Sequence, residues 1–143
     1  MKPGIDYIGI SAGFYCHDGH GNFVFHKRSQ NCRDQQGTWD SGGGQIEFGE
    51  EPEEAMWREL KEEYGCSGTI DEVLPPNSIV TKYADHTTHW IVFSYIVRVN
   101  RAEVIIGEPK SMDEIDWFTL DNLPQPLHNG VVLDLKKYQI AFL

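Results

Sequence analysis

Residues 44–66 read GQIEFGEEPEEAMWRELKEEYGC, and the fold of the chain follows from this stretch. Its fixed points are Gly44, then Glu50 after five intervening residues, then Arg58-Glu59-Leu60-Lys61-Glu62-Glu63-Tyr64-Gly65 after seven more. Pro52 suits the first turn of a helix, and Glu50, Glu51, Glu53 and Glu54 complement its positive N-terminus. Gly65 supplies the left-handed stop. At about 100° per residue, Met56, Trp57, Leu60 and Tyr64 share one arc and Glu59, Glu62 and Glu63 the next. One face packs and its neighbour is acidic.

Glu59 stands three residues from Glu62 and four from Glu63, so like-charge repulsion costs a bare helix about 0.2–0.5 kcal/mol per pair. A divalent cation reverses that penalty. Carboxylate oxygens suit hard ions such as Mg²⁺ or Mn²⁺, with water and substrate phosphates completing the shell. The alternative is a solvated acidic face. The loop glycines and Arg58, at their fixed spacing, favour a built site over that alternative.

This arrangement resembles the Nudix box. All of the charged and glycine positions of the family pattern are met, and Cys66 stands where an aliphatic residue is usual. More weakly, Phe25-His26-Lys27-Arg28, Trp39, Gly42-Gly43-Gly44-Gln45-Ile46-Glu47, Asp116-Trp117-Phe118 and Leu120 to Pro124 also resemble the family. Many relatives carry proline at the place of Gly42, a departure expected to loosen the loop.

The resemblance implies a mixed α/β (α+β) sheet in an α/β/α sandwich and hydrolysis of a nucleoside diphosphate linked to another group. It makes Glu59 and Glu63 the principal metal ligands, Glu62 a further or water-mediated one, and the Gly43 carbonyl part of the set. Arg58 pairs with Glu50 and holds loop to helix, while Gly44 and Glu47 belong to the loop facing the substrate. Arg28 matches a phosphate-binding cation, and Asp116 a place where some relatives carry an extra acidic ligand or base, with Glu114 nearby. Phosphoryl transfer needs neutralised phosphate oxygens, an aligned nucleophile and a base. Glu62 or Glu63 could be that base, as could a residue outside the box. Relatives are often dimers, so a homodimer is a further expectation.

Composition fits this reading. The 143 residues suit one domain spanning 1–143, and 12 basic against 22 acidic side chains give a formal charge of −10. Such a balance disfavours duplex nucleic acid and anionic membrane. With no apolar run long enough to span a bilayer and no signal pattern at Met1-Lys2-Pro3, the expected location is cytoplasmic. Cys16, Cys32 and Cys66, even with His17, His20 and His26 nearby, match no zinc spacing. Free thiols and surface histidines are expected.

Around the box, Ile5 to Tyr15 and Phe23 to His26 read as a hairpin across the turn at Asp18 to Asn22. Ser29 to Gly37 reads as loop, and Trp39 to Glu47 as loop with short extended pieces. Ile79 to Tyr83 and Trp90 to Val99 form a second hairpin, and Asp116 to Phe118 a short strand. Val131, Val132, Leu135, Tyr138 and Phe142 recur at helical spacing and predict a C-terminal helix covering the sheet. Trp39, Tyr83, His89 and Trp90 could line a base pocket, although core is the expected place for Trp90.

The leading substrate class is (d)NTPs, oxidised ones included, cleaved to a nucleoside monophosphate and pyrophosphate. Dinucleoside polyphosphates, to which Tyr83 points weakly, and nucleoside diphosphate sugars follow. From other classes, the chain could be a non-catalytic nucleotide- or RNA-binding module, or an interaction protein whose acidic helix meets a basic partner.

Overall fold

The computed structural model describes residues 1–138. Its strands are β1 (Gly9–His17), β2 (Asn22–Arg28), β3 (Trp39–Asp40), β4 (Gly43–Gln45), β5 (Gly68–Val73), β6 (Asn77–Lys82), β7 (Thr87–Val99) and β8 (Met112–Thr119). Helix α1 (Pro52–Tyr64) follows β4, and α2 (Asn129–Lys137) follows β8. The thirteen-residue β7 is the spine of the mixed sheet. It pairs in parallel with β1 along one edge, and antiparallel with β6 and then β5 along the other. Strand β1 also pairs with β4 and touches β2, which carries β3 and β8.

Alternation along β1 divides the core in two. Ala12, Phe14 and Cys16 face α1 and meet Ala55, Met56, Leu60 and Tyr64. Tyr15 faces the other way, with Phe23, Phe25, Ile96 and Val131 beneath α2. Helices therefore cover both faces, as the α/β/α expectation requires. Among the described residues, no helix is long and apolar enough to cross a membrane.

Helix α1 begins at Pro52 with a reciprocal box between Glu51 and Glu54, and ends where Gly65, at φ 68°, donates its N–H to the Lys61 carbonyl. Its ends lie where the residues place them. Elsewhere the structure corrects the expectation. Residues 5–8 do not extend β1; they form a turn in which the Gly4 N–H reaches the Tyr7 carbonyl at 2.7 Å. That turn packs on Trp90, whose indole occupies the space where Cβ atoms at Gly4 and Gly9 would stand. Strand β5 was not expected, because GTIDEV lies at a sheet edge with only Ile70 partly buried and carries no apolar alternation. The 116–118 strand is longer, spanning Met112 to Thr119. Cys16 and Cys66 are buried free thiols, as expected. His26, by contrast, is buried rather than on the surface. Phe142 lies outside the described residues.

Polar groups fasten α2 to the sheet. Buried Asp134 accepts from the Tyr15 hydroxyl at 2.5 Å and from the Asn77 amide at 2.9 Å. A hydrogen bond to a buried carboxylate is worth more than a neutral one, and losing its donor leaves charge unsatisfied. Tyr15→Phe is expected to lower unfolding free energy by about 1–3 kcal/mol, measured by urea denaturation, with the near-ultraviolet spectrum of the native state retained.

Candidate active site

The loop between β4 and α1 is tied to the helix by Arg58. Its Nε and Nη2 atoms donate to the two Glu50 oxygens at 2.7 and 3.0 Å, Nη1 donates to Glu59 at 2.8 Å, and Nη2 also reaches the Gln45 carbonyl at 3.1 Å. Glu62 lies 3.5 Å away and exposed Glu47 3.9 Å. The Arg58 hydrogen bonds hold the Glu50 carboxyl down at about 2. In return, Glu50 first and Glu59 next raise the pKa of the guanidinium.

Behind that fork the backbone makes room for the acids. A Cβ at Gly44 would stand 2.3 Å from the Glu59 carboxylate, so a side chain here would evict it. Gly42 sits at φ +110° with the Phe14 ring in its Cβ space. Proline, fixed near −65°, cannot follow that path. The loop is thus packed rather than loosened.

Buried Glu63 turns toward this loop, its carboxylate 3.2 and 3.3 Å from the Gly43 N–H. Burial pushes its pKa up, with the charges of Asp40, Glu59 and Glu108 adding and the Gly43 N–H opposing. Glu59, half-buried, is raised more by burial than Arg58 lowers it.

Glu59, Glu62 and Glu108 bring carboxylate oxygens within 4.8 Å of one another. Three oxygen donors at that spacing fit a hard divalent ion. Glu108 joins because its approach segment docks on the end of α1: Ile105 N–H donates to the Tyr64 carbonyl at 3.0 Å and Gly107 N–H to the Glu63 carbonyl at 2.7 Å. No spacing in the sequence marks Glu108; only these contacts with the helix carbonyls reveal it. Asp116 is not brought to the cluster. It pairs with Phe25 on the α2 side of the sheet, is exposed, and accepts from the Trp117 N–H. Glu114, on the same face, lies 3.9 Å from Lys27.

On the other side of the glycine strand opens a cleft of about 280 Å³. Gly42, Gly43, Gly44 and Gln45 form one wall, β1 and β7 the floor, and α2 a second wall. Trp90 and Tyr83 line it, which corrects the core assignment of Trp90; Trp39 instead packs edge-on against Phe118 in the α2-side core. His89 bonds Ser78 outside the cleft. Arg28 lines the cleft, but its fork is engaged by Asp34 at 2.9 Å and Asp40 at 3.2 Å.

The family model described as the NUDIX domain matches residues 8–136. The chain belongs to the Nudix family. It is 33% identical over 90 residues to the oxidized purine nucleoside triphosphate hydrolase of Danio rerio, covering 62% of this chain and 53% of that protein. Over 109 residues it is 32% identical to the ADP-ribose pyrophosphatase of Methanocaldococcus jannaschii, covering 73% and 60%. The chain thus spans about half to three fifths of the length of these relatives. A MutT Nudix hydrolase structure from Burkholderia pseudomallei superposes with a TM-score of 0.78 at 25% identity, covering 93% of this chain and 99% of that one. The mixed sheet with its two helices is the Nudix fold.

Two outcomes test this geometry. Gly44→Ala is expected to weaken Mn²⁺ binding about tenfold or more by displacing Glu59, read by titration calorimetry. For Asp40, burial alone would raise the pKa, but His128, His26, Arg28 and the Ser41 N–H overcome it and hold the carboxyl well below the usual range. A folded pKa below the unfolded value of about 3.9 stabilises above that pH and is lost as pH falls toward the folded value. Denaturation curves from pH 6 to 3 should therefore fall less steeply below pH 4 in Asp40→Asn than in the parent.

Proposed function

We propose that this chain hydrolyses a pyrophosphate bond in nucleoside diphosphate compounds, with (d)NTPs, oxidised ones included, as the leading substrates. One observation carries the reading. The Gly42–Gln45 segment has the cleft on one side and, on the other, Glu59 against Gly44 and Glu63 on the Gly43 amide. A nucleoside seated in the cleft has its phosphates led along this segment toward the carboxylates. The Danio rerio relative, named an oxidized purine nucleoside triphosphate hydrolase, supports the same substrate class.

Water adds to phosphorus, the bond to the bridging oxygen breaks with its electron pair leaving on pyrophosphate, and a carboxylate takes the proton. Glu59, Glu62 and Glu108 are the residues fitted to hold Mg²⁺ or Mn²⁺, with Glu63 adjoining them; the Gly43 carbonyl is a ligand that the family resemblance implies. When bound, such an ion neutralises phosphate oxygens as charge develops. Arg58 and Glu50 keep the helix and loop in register, and Gly44 and Glu47 belong to the loop that meets the phosphates. Arg28 orients the 34–40 segment through Asp34 and Asp40. Tyr83, which lines the cleft and stacks on His86 at 4.8 Å, favours dinucleoside polyphosphates as the second reading.

A panel of (d)NTPs, 8-oxo-dGTP, dinucleoside polyphosphates, ADP-ribose and nucleotide sugars, incubated with Mg²⁺ or Mn²⁺ and resolved by anion-exchange chromatography, tests this. Nucleoside monophosphate and pyrophosphate from a triphosphate, abolished by chelator, is the expected result. Glu63→Gln should lower turnover at least about 100-fold while the fold persists. Tight nucleotide binding without product would instead indicate a binding module.

A further inference from the structure

Tyr64 is fully buried in the α1-side core, where its ring meets Phe14 edge-on at 5.6 Å. Phenylalanine would fill that space equally well, so the hydroxyl needs another reason. It donates to the Ser41 carbonyl at 3.2 Å and lies 2.7 Å from Nδ1 of His26, itself buried on β2. A phenol has one proton. With that proton on Ser41, His26 must donate through Nδ1–H, which fixes its tautomer. Strand β2, helix α1 and the 41–43 loop are thereby joined through one oxygen.

Position gives this chain of hydrogen bonds its meaning. Tyr64 directly follows Glu63, and the two grip successive points of the same loop: the hydroxyl takes the Ser41 carbonyl, and the Glu63 carboxylate takes the Gly43 N–H. We propose that the His26–Tyr64 pair is a positioning device that sets the height of the Ser41–Gly43 loop over Glu63, and so the geometry of the acidic site. This rests on the hydrolase reading above. Neither residue lines the cleft, so the pair acts through the loop; because Gly42 and Gly43 also wall the cleft, the larger effect is expected on turnover, where Glu63 must be placed, and the smaller on KM.

Tyr64→Phe, His26→Leu and His26→Asn, in the full chain, test the device. Asparagine places its amide nitrogen where Nδ1 stands and keeps the donor; leucine does not. The expected result is a fall in kcat of about 10- to 100-fold for Tyr64→Phe and His26→Leu, with KM within about threefold. His26→Asn should retain most of the activity. The Gly43 amide, followed by NMR hydrogen exchange, should exchange faster in the two damaging variants and near the parent rate in His26→Asn. If Tyr64→Phe fails to fold, the His26 pair gives the same comparison. Parent-like Gly43 exchange in both damaging variants, or His26→Asn behaving no better than His26→Leu, overturns the proposal. A parent protein that cleaves none of the panel overturns the hydrolase reading instead, and the Gly43 exchange rates still decide the positioning device.

Discussion

Arg58 answers Glu50 with two hydrogen bonds, Glu59 with a third and the Gln45 carbonyl with a fourth. Like charges along a helix face cost about 0.2–0.5 kcal/mol per pair, and this site crowds three carboxylates within 4.8 Å, Glu59 half-buried and Glu62 and Glu108 exposed. The guanidinium makes the crowding tolerable on one flank, where its planar fork also fixes the loop geometrically. Its single charge leaves the cluster net negative. That residue of charge is what a divalent ion would remove, so the capacity to hold a metal and the repulsion within the cluster have one origin.

The parts legible in the sequence are those whose partners lie close along the chain. Glu50 and Arg58, the helix ends at Pro52 and Gly65, and the arc of Met56, Leu60 and Tyr64 all follow from spacing on one helix and its loop. Both hairpins were legible for the same reason. Glu108 was not, because it reaches the cluster through backbone contacts of residues 105–107 with the end of α1. Asp116 misled because spacing near a strand does not say which face a side chain takes; its pairing with Phe25 decides that. Trp90 reads as a core residue in a strongly apolar strand, yet the N-terminal turn claims one side of its ring and leaves the other on the cleft.

The cleft and the acidic cluster share a wall only because that wall is nearly all glycine. Gly42, Gly43 and Gly44 let the Phe14 ring, the β1 backbone and the Glu59 carboxylate approach within contact of the strand. Any side chain on the carboxylate side would separate the acids from the backbone they lean on. The sheet bears the cost: β4 offers β1 only three paired residues, and such a short segment holds its place weakly by itself. Gly43 N–H on Glu63 and the Ser41 carbonyl on Tyr64 supply the missing restraint from the helix. Loop and helix therefore define each other's positions.

Charge connects this local design to the whole chain. At a formal −10 the protein repels polyphosphates at long range, and the nearest cleft arginine does little to offset that. Arg28 already answers two carboxylates, and Arg33 lies 5.9 Å over the Trp90 ring. Under the proposed function, attraction for phosphate would come with a divalent ion, at short range, after a nucleoside has entered the cleft. Such a site would discriminate in two separate places, the nucleoside at the cleft and the phosphate chain with its counter-ions at the carboxylates. An acidic surface is thus compatible with the proposed acidic substrate, because a divalent ion would be held in common by the protein and the phosphates.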